Sequence, residues 1–222
     1  MIVKRLFDVL FSAMGLLFFS PILVVLAILI KAGDKGPIFY RGVRVGQNGR
    51  VFRIFKFRSM VVNAEKIGGA STADDDSRIT RIGKFLRKYK LDELPQLLNV
   101  LKGEMSFVGP RPQVPWAVDL YTKEESRLLT LRPGLTDYAS VIFSNEGAIL
   151  HGTENPDQVY LEKIAPAKIK LGLMYVQNRS LMTDIRIICV TILRIFEGVL
   201  SKRLDIYDKL GIRKDFNELT QN

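Results

Sequence analysis

The chain has 222 residues, of which 47% are hydrophobic and 25% charged, and its formal net charge at pH 7 is +10. This length suffices for one well-buried core, and the basic surface favours an anionic partner such as a lipid or a phosphorylated ligand. The absence of zinc-finger spacing and of an aromatic RNA-binding signature argues against nucleic acid as that partner. The single Cys189 excludes an internal disulfide, and the single His151 leaves little room for a histidine metal site or triad.

The N-terminal segment predicts a membrane anchor, because residues 9–30 carry no charge and about 20 apolar residues can cross a bilayer as a helix. Pro21 lacks an N–H and crowds the preceding turn, so a break is expected at Ser20–Pro21. Basic residues flank this segment on both sides, namely Lys4, Arg5, Lys31, Lys35, Arg41 and Arg44. A spanning helix usually has its positive excess on one side. We therefore predict a re-entrant helix over residues 1–35, with an ordinary kinked span as the alternative.

Strand-like alternation follows at residues 37–41 and 51–58, with a turn at residues 46–49 that would make a β-hairpin. The period of two places Lys56 and Arg58 on one face near the end of the second strand. Residues 68–77 are typical of a loop. The next segment, residues 79–89, predicts a basic amphipathic helix that could lie on an anionic membrane.

Two adjacent carboxylates, Asp92 and Glu93, stand in the stretch Leu-Asp-Glu-Leu-Pro-Gln-Leu at residues 91–97. Asp92 is a good N-cap type and Pro95 suits a first turn, so a helix is expected to begin here and to end at Gly103. An N-cap residue lies outside the helical geometry, which would let the two carboxylates converge. The positive end of the helix also favours a bound phosphate.

Two further arginines stand at proline-containing turns. Arg111 lies between two prolines, and Arg132 precedes a Pro-Gly pair. Prolines restrict the backbone on both sides of Arg111, and a rigid guanidinium suits bidentate phosphate recognition. The apolar run at residues 187–200, with Thr183–Asp184 as its cap, predicts a helix either in the core or on the membrane surface, and we favour the surface. The residues after it are polar and predict a loosely held tail.

Taken together, these motifs resemble the bacterial sugar transferases, in particular the small monotopic polyprenyl-phosphate phosphoglycosyl transferases. The matching stretches, in the order of the family, are residues 4–8, 20–21, 36–39, 55–60, 78–83, 91–97 and 109–112. The similarity runs to about Thr136 and more loosely to Asp184. The chain departs from the family pattern at Asp137 and over residues 138–151.

The resemblance implies a mixed α/β, mostly helical fold in the minimal catalytic form. Its parts would be a re-entrant membrane helix (1–35), a catalytic domain (36–202) and a polar tail (203–222). Amphipathic interfacial helices and a small β-hairpin would surround a cytosolic active site. The implied activity transfers a phosphosugar from a UDP-sugar to polyprenyl phosphate, usually undecaprenyl phosphate, with release of UMP. This is the first membrane step of a bacterial glycoconjugate pathway, at the cytoplasmic face of the inner membrane.

Carried over residue by residue, the resemblance implies that Asp92 is a nucleophile that forms a covalent phosphosugar intermediate. Glu93 would be its partner, and both carboxylates would hold Mg²⁺. The candidate phosphate-binding residues, from the resemblance or from their positions, are Lys56, Arg58, Arg87, Arg111 and Arg132. Asp184 matches an acidic position to which no role is assigned. Anionic lipids, downstream membrane glycosyltransferases and a homodimer partner are also expected.

Two other classes of protein compete with this interpretation. A membrane phosphohydrolase could use Asp92 as nucleophile with water as the second acceptor. A non-enzymatic peripheral protein could use its basic face only to hold anionic lipid. The second alternative leaves the adjacent carboxylates and the proline-flanked Arg111 without a purpose.

Overall fold

The computed structural model describes residues 2–69 and 71–200. Its helices are α1 (Ile2–Asp34), α2 (Ala64–Ile67), α3 (Arg81–Lys88), α4 (Leu97–Lys102), α5 (Pro115–Val118), α6 (Tyr138–Ile142), α7 (Glu146–Ile149), α8 (Pro156–Val159), α9 (Ala165–Asn178) and α10 (Leu181–Leu200). Its strands are β1 (Phe39–Tyr40), β2 (Val43–Val45), β3 (Val51–Arg53), β4 (Lys56–Phe57), β5 (Ser106–Val108) and β6 (Gly134–Thr136). Short 3₁₀ turns lie at Gln47–Gly49, Leu91–Gln96 and Glu125–Thr130, and a π-helical turn at Tyr160–Ile164 joins α8 to α9. The mixed, mostly helical α/β fold is confirmed.

The strands form three two-stranded ladders. β1 pairs with β4 and β2 with β3, both antiparallel, whereas β5 and β6 are parallel. The single hairpin expected over residues 37–58 is therefore wrong in detail, since two nested ladders replace it. The cause is Asn99, whose side chain accepts from the Phe55 N–H (2.8 Å) and donates to the Arg53 carbonyl (3.0 Å). These bonds satisfy the backbone where the second strand is interrupted.

Helix α1 is long and apolar enough to cross a membrane, by length and composition. It continues through Pro21, so the expected break at Ser20–Pro21 does not interrupt it. The proline cannot bond the carbonyl of Leu17, four residues earlier, and the Ser20 hydroxyl donates to that oxygen instead (2.7 Å). The helix is therefore kept intact by the serine that precedes the proline.

Both ends of α1 are fastened to the rest of the protein, while most of its middle is exposed. Near the N-terminal end, Lys4 Nζ donates to the Val108 carbonyl (2.9 Å), and the buried Asp8 accepts from the Phe107 N–H (3.0 Å). At the other end, Leu26 and Ile30 are buried in a cluster that includes residues of β4 and α3.

The main core surrounds α9, whose Leu171 and Tyr175 are fully buried together with Ile187 of α10. Helix α10 begins earlier than expected, because the Ser180 hydroxyl accepts from the Thr183 N–H (3.0 Å) at its first turn. One face of α10 packs in the core, as one of the two sequence interpretations expects, and the other face is exposed, so its contact with a membrane surface stays a prediction. The 35/36 domain boundary stays a prediction, and the 203–222 tail lies outside the described residues.

Candidate active site

The two adjacent carboxylates lie within the 3₁₀ turn Leu91–Gln96, which leads directly into α4. The expectation that Asp92 is a helix N-cap is wrong. Lys90 occupies that position in a left-handed conformation (φ 55°), and its carbonyl accepts from the Glu93 N–H (3.3 Å). The left-handed residue turns the chain sharply after α3, so Asp92 falls inside the turn and is buried. Gly103 ends α4 at φ +86°, as expected.

Glu93 is the centre of an ion-pair network. Its Oε1 accepts from Lys56 Nζ at 2.6 Å and from Arg111 Nη2 at 2.9 Å. Burial by itself would raise the pKa of Glu93, but the charges of the two cations and their hydrogen bonds lower it well below its usual range. Glu93 therefore stays ionised and fixes the two cations on either side of one oxygen.

The surroundings of Asp92 differ from those of Glu93, because they favour its charged form less. It is 8% exposed, and its carboxylate accepts no hydrogen bond from any residue that the structure describes. Burial raises the pKa of Asp92, the charge of Lys56 lowers it, and the neighbouring Glu93 raises it again. Arg87 also acts through space and lowers this pKa. A poorly solvated carboxylate with free lone pairs has the character that nucleophilic attack requires.

Arg111 lies in the loop that follows β5, and the neighbouring parallel strand β6 holds this loop in place. Beyond β5 the chain is held close to β6 by two backbone bonds, Gly109 N–H to the Thr136 carbonyl (3.2 Å) and Gly134 N–H to the Pro110 carbonyl (3.0 Å). A Cβ on Gly109 would lie 2.3 Å from the Arg132 carbonyl oxygen, so a residue without a side chain is needed there. The close backbone contact fixes the loop that carries Arg111.

Two predicted phosphate ligands, Arg58 and Arg132, bond other parts of the fold, and phosphate binding by them stays a prediction. Arg58 is buried and pairs with Asp34 at the end of α1, while its Nε donates to the Pro37 carbonyl (2.6 Å). It leaves the face of Lys56 because β4 ends at Phe57. Arg132 donates from Nε to the Gly103 carbonyl (3.0 Å) at the end of α4 remote from Asp92. Both arginines have partners that fasten the fold.

Asp184 is also outside the cluster around Asp92. It pairs with Lys4 and accepts from the Tyr175 hydroxyl (2.6 Å), and Lys4 and Tyr175 both donate to the Val108 carbonyl. Asp184 therefore joins the first turns of α1 and α10 to the end of β5. This gives a positioning role to a residue whose function the sequence left open.

Comparison with known proteins decides the family. A family model described as bacterial sugar transferase matches residues 1–198. The chain belongs to the bacterial sugar transferase family. The family is membrane-associated, in agreement with the apolar helix α1.

Three relatives are similar to this sugar transferase. The UDP-N-acetylgalactosamine-undecaprenyl-phosphate N-acetylgalactosaminephosphotransferase of Aeromonas hydrophila is 38% identical over 88% of this chain and 44% of its own length. Exopolysaccharide production protein ExoY of Sinorhizobium fredii is 37% identical over 85% of this chain and 83% of its own length. The UDP-glucose:undecaprenyl-phosphate glucose-1-phosphate transferase of Klebsiella pneumoniae is 37% identical over 91% of this chain and 41% of its own length. The chain thus spans less than half the length of two of these relatives.

The carboxylates of the sugar transferase fit a magnesium ion. Both oxygens of Asp92 and Oε2 of Glu93 accept no hydrogen bond from the described residues, and Mg²⁺ prefers oxygen ligands. The surrounding cations would weaken its binding to the protein alone. Mg²⁺ commonly binds one or two carboxylates together with phosphate groups of a substrate.

A second charged cluster beside Arg111 was missed by sequence reasoning. Lys168 of α9 is largely buried and pairs with Glu146 at the start of α7. Asp137, buried, accepts from the Ser140 N–H (2.6 Å) as the cap of α6. Glu93 chiefly raises the pKa of Arg111, and Asp137 and Glu146 add to that effect. The only signal in the sequence was the departure from the family pattern at residues 137–151.

Proposed function

We propose that this protein transfers a phosphosugar from a UDP-sugar to undecaprenyl phosphate and releases UMP. The observation that carries the proposal is a pair of neighbouring carboxylates. Asp92 is buried and accepts no hydrogen bond from the described residues, whereas the charge of Glu93 is neutralised by Lys56 and Arg111. The names of the relatives from Aeromonas hydrophila and Klebsiella pneumoniae, which both transfer to undecaprenyl phosphate, support it.

The reaction has two displacements at one phosphorus atom. An Asp92 oxygen attacks the β-phosphorus of the donor, the bond from that phosphorus to the bridging oxygen breaks, and UMP leaves with the electron pair. The product is an acyl phosphate between Asp92 and the phosphosugar. A phosphate oxygen of undecaprenyl phosphate then attacks the same phosphorus, which releases the Asp92 carboxylate and forms the lipid diphosphate sugar. One phosphoanhydride replaces another, so no further energy source is required.

The cations around Glu93 supply electrostatic stabilisation. During transfer, negative charge is spread over the non-bridging phosphoryl oxygens, and positioned Lys and Arg side chains stabilise it. Lys56 and Arg111 are held 2.6 and 2.9 Å from a single Glu93 oxygen, so their remaining N–H groups can meet an incoming phosphate. Arg87 adds positive charge near Asp92. We propose that Asp92 and Glu93 hold Mg²⁺, which when bound would neutralise donor phosphate charge.

We propose that α1 is re-entrant and has both ends on the cytoplasmic side, and the contacts at its two ends support the re-entrant arrangement. At 1.5 Å per residue, a straight helix from Lys4 to Asp34 would be about 45 Å long, more than the ~30 Å hydrocarbon layer. A straight span would hold these two residues on opposite sides of that layer. Yet Lys4 binds Val108 and Asp34 binds Arg58 of the same domain. The test is labelling of a cysteine at residue 2 by an impermeant reagent in right-side-out vesicles, with Cys189→Ser. Labelling from outside would contradict the arrangement.

The nucleophile is tested by incubating the protein with a radiolabelled UDP-sugar and Mg²⁺, without lipid acceptor. We expect labelled protein together with one UMP per label, and no label on Asp92→Asn, which is nearly isosteric. Labelling of Asp92→Asn equal to wild type would exclude Asp92. Release of free sugar phosphate at the same rate with and without undecaprenyl phosphate would favour the phosphohydrolase. Absence of UMP with every UDP-sugar would favour the lipid-binding protein.

A further inference from the structure

The parallel pair of β5 and β6 brings a second group of side chains to the edge of the active site. The loop with Arg111 follows β5, and Asp137 follows β6 directly, so both lie beyond the carboxyl ends of the two strands. Asp137 begins α6, and α6 leads to α7, which opens with Glu146. The fold therefore sets α7 beside the phosphate-binding arginine.

The carboxylate of Glu146 is held in one orientation by an ion pair. It pairs with Lys168, whose side chain is 10% exposed, whereas the Glu146 side chain is 31% exposed. The bond uses Oε2 of Glu146, and its Oε1 accepts no hydrogen bond from the described part of the chain. A buried lysine thus orients a carboxylate that keeps one oxygen for another partner.

An aromatic ring joins this pair to the phosphate site. Lys168 Nζ lies 5.0 Å from the centroid of the Tyr160 ring. Burial chiefly raises the pKa of the Tyr160 hydroxyl and the charge of Glu146 raises it further, whereas Arg111 and the Gln113 side chain lower it. Tyr160 therefore lies near both Glu146 and the loop of Arg111.

We infer that Glu146, oriented by Lys168 beside the Tyr160 ring, recognises hydroxyl groups of the sugar carried on the donor diphosphate. This inference rests on the proposed function. The sugar is attached to the β-phosphate that Asp92 attacks, so it must lie next to the phosphate site. A carboxylate repels phosphate but accepts hydrogen bonds from sugar hydroxyls, and an aromatic ring can pack against the apolar face of a sugar. Glu146 is thus a specificity residue and takes no part in the bond-breaking step.

The test compares Glu146→Gln with wild type by UMP release across UDP-glucose, UDP-galactose and their N-acetylated counterparts. A hydrogen bond to a charged acceptor contributes enough that we expect the kcat/KM ratio between two donors to change by about 10-fold or more. Inhibition by UMP, which lacks the β-phosphate and the sugar attached to it, should be unchanged. The matched control is Glu162→Gln, an exposed glutamate that bonds Gln158 (2.8 Å) and should leave the ratios unchanged.

Each outcome is decisive. A change in donor ratio with unchanged UMP inhibition supports the inference, and Glu146→Asp, which keeps the charge but shortens the side chain, should also shift the ratio. An equal loss of kcat/KM for every donor, or no change, would overturn it while leaving the transferase activity standing. Failure of the wild-type protein to release UMP from any UDP-sugar would instead overturn the proposed function, and this inference with it.

Discussion

Glu93→Gln is the substitution whose effect on stability follows most directly from the structure. Glu93 accepts two charge-assisted hydrogen bonds on one oxygen, from Lys56 and Arg111, and the three side chains are only 17–34% exposed. A hydrogen bond to a charged group contributes about 1.5–3 kcal/mol and a neutral one about 0.5–1.5 kcal/mol. Glutamine keeps the oxygen but loses the charge. After allowance for partial exposure, we expect a loss of about 2 kcal/mol in unfolding free energy.

The assay is thermal unfolding in detergent, within a double-mutant cycle that includes Lys56→Met. A loss of about 2 kcal/mol lowers the melting temperature of a domain of this size by roughly 4–8 °C. Because Lys56 and Glu93 are in direct contact, their coupling energy should be about 1–2 kcal/mol. The exposed Glu124→Gln serves as control and should show no coupling to Lys56→Met. A coupling energy of zero between Lys56 and Glu93 would refute the description of the network.

The pH dependence of the stability lost in Glu93→Gln gives an independent check. The pKa of Glu93 is lowered in the folded protein from its ordinary value of 4.5, since the nearby cations outweigh burial. An acid with a lowered folded pKa stabilises the fold above its unfolded pKa, and that stability is lost as the pH falls towards the folded pKa. The difference in unfolding free energy between wild type and Glu93→Gln should be constant above about pH 4.5 and should become smaller below it. A difference that widens in acid would contradict the assignment.

Three other perturbations have defined outcomes. Arg58→Met removes the bonds to Asp34 and Pro37, so the melting temperature should fall. The amount of covalent label per folded molecule should stay the same as in wild type. Loss of labelling would show that Arg58 acts in the active site. His151→Gln should lower the melting temperature at pH 6 but not at pH 8.5. Hydrogen bonding to Asp74 raises the pKa of His151 above its ordinary value of 6.5, and the stabilising charge is lost as the pH rises through this raised pKa. Equal melting temperatures of wild type and variant at pH 6 would show that the pair of His151 and Asp74 contributes nothing to stability. Excess EDTA should abolish UMP release and added Mg²⁺ should restore it, whereas an undiminished rate in EDTA would exclude the metal.

Local patterns in the sequence predicted the elements that depend on local interactions. The basic amphipathic helix expected at residues 79–89 is α3, and Gly103 ends α4 because glycine tolerates the left-handed conformation. Each of these features involves residues within a few positions of one another, so the sequence contains both partners side by side.

Several differences between expectation and structure concern partners that are distant in the chain. Nothing near Arg58 in sequence shows that Asp34 will neutralise it, and nothing near residue 54 shows that Asn99 will interrupt the strand. Arg132 was assigned to phosphate because its turn resembles that of Arg111, but its partner is the Gly103 carbonyl. A neighbouring proline restricts the backbone of both Arg111 and Arg132. Whether such an arginine binds a ligand or the end of a helix depends on the tertiary fold.

The two cations that hold Glu93 belong to segments that are fastened to opposite ends of α1. Lys56 stands two residues before Arg58, which binds the C-terminal end of α1 at Asp34. Arg111 stands three residues after Val108, whose carbonyl accepts from Lys4 near the N-terminal end. Glu93 bonds both cations through one oxygen, so the network joins the two segments that fasten the ends of α1. Under the proposed function, we expect the depth of α1 in the bilayer to set the position of Asp92 and Glu93 relative to the phosphate of the lipid acceptor.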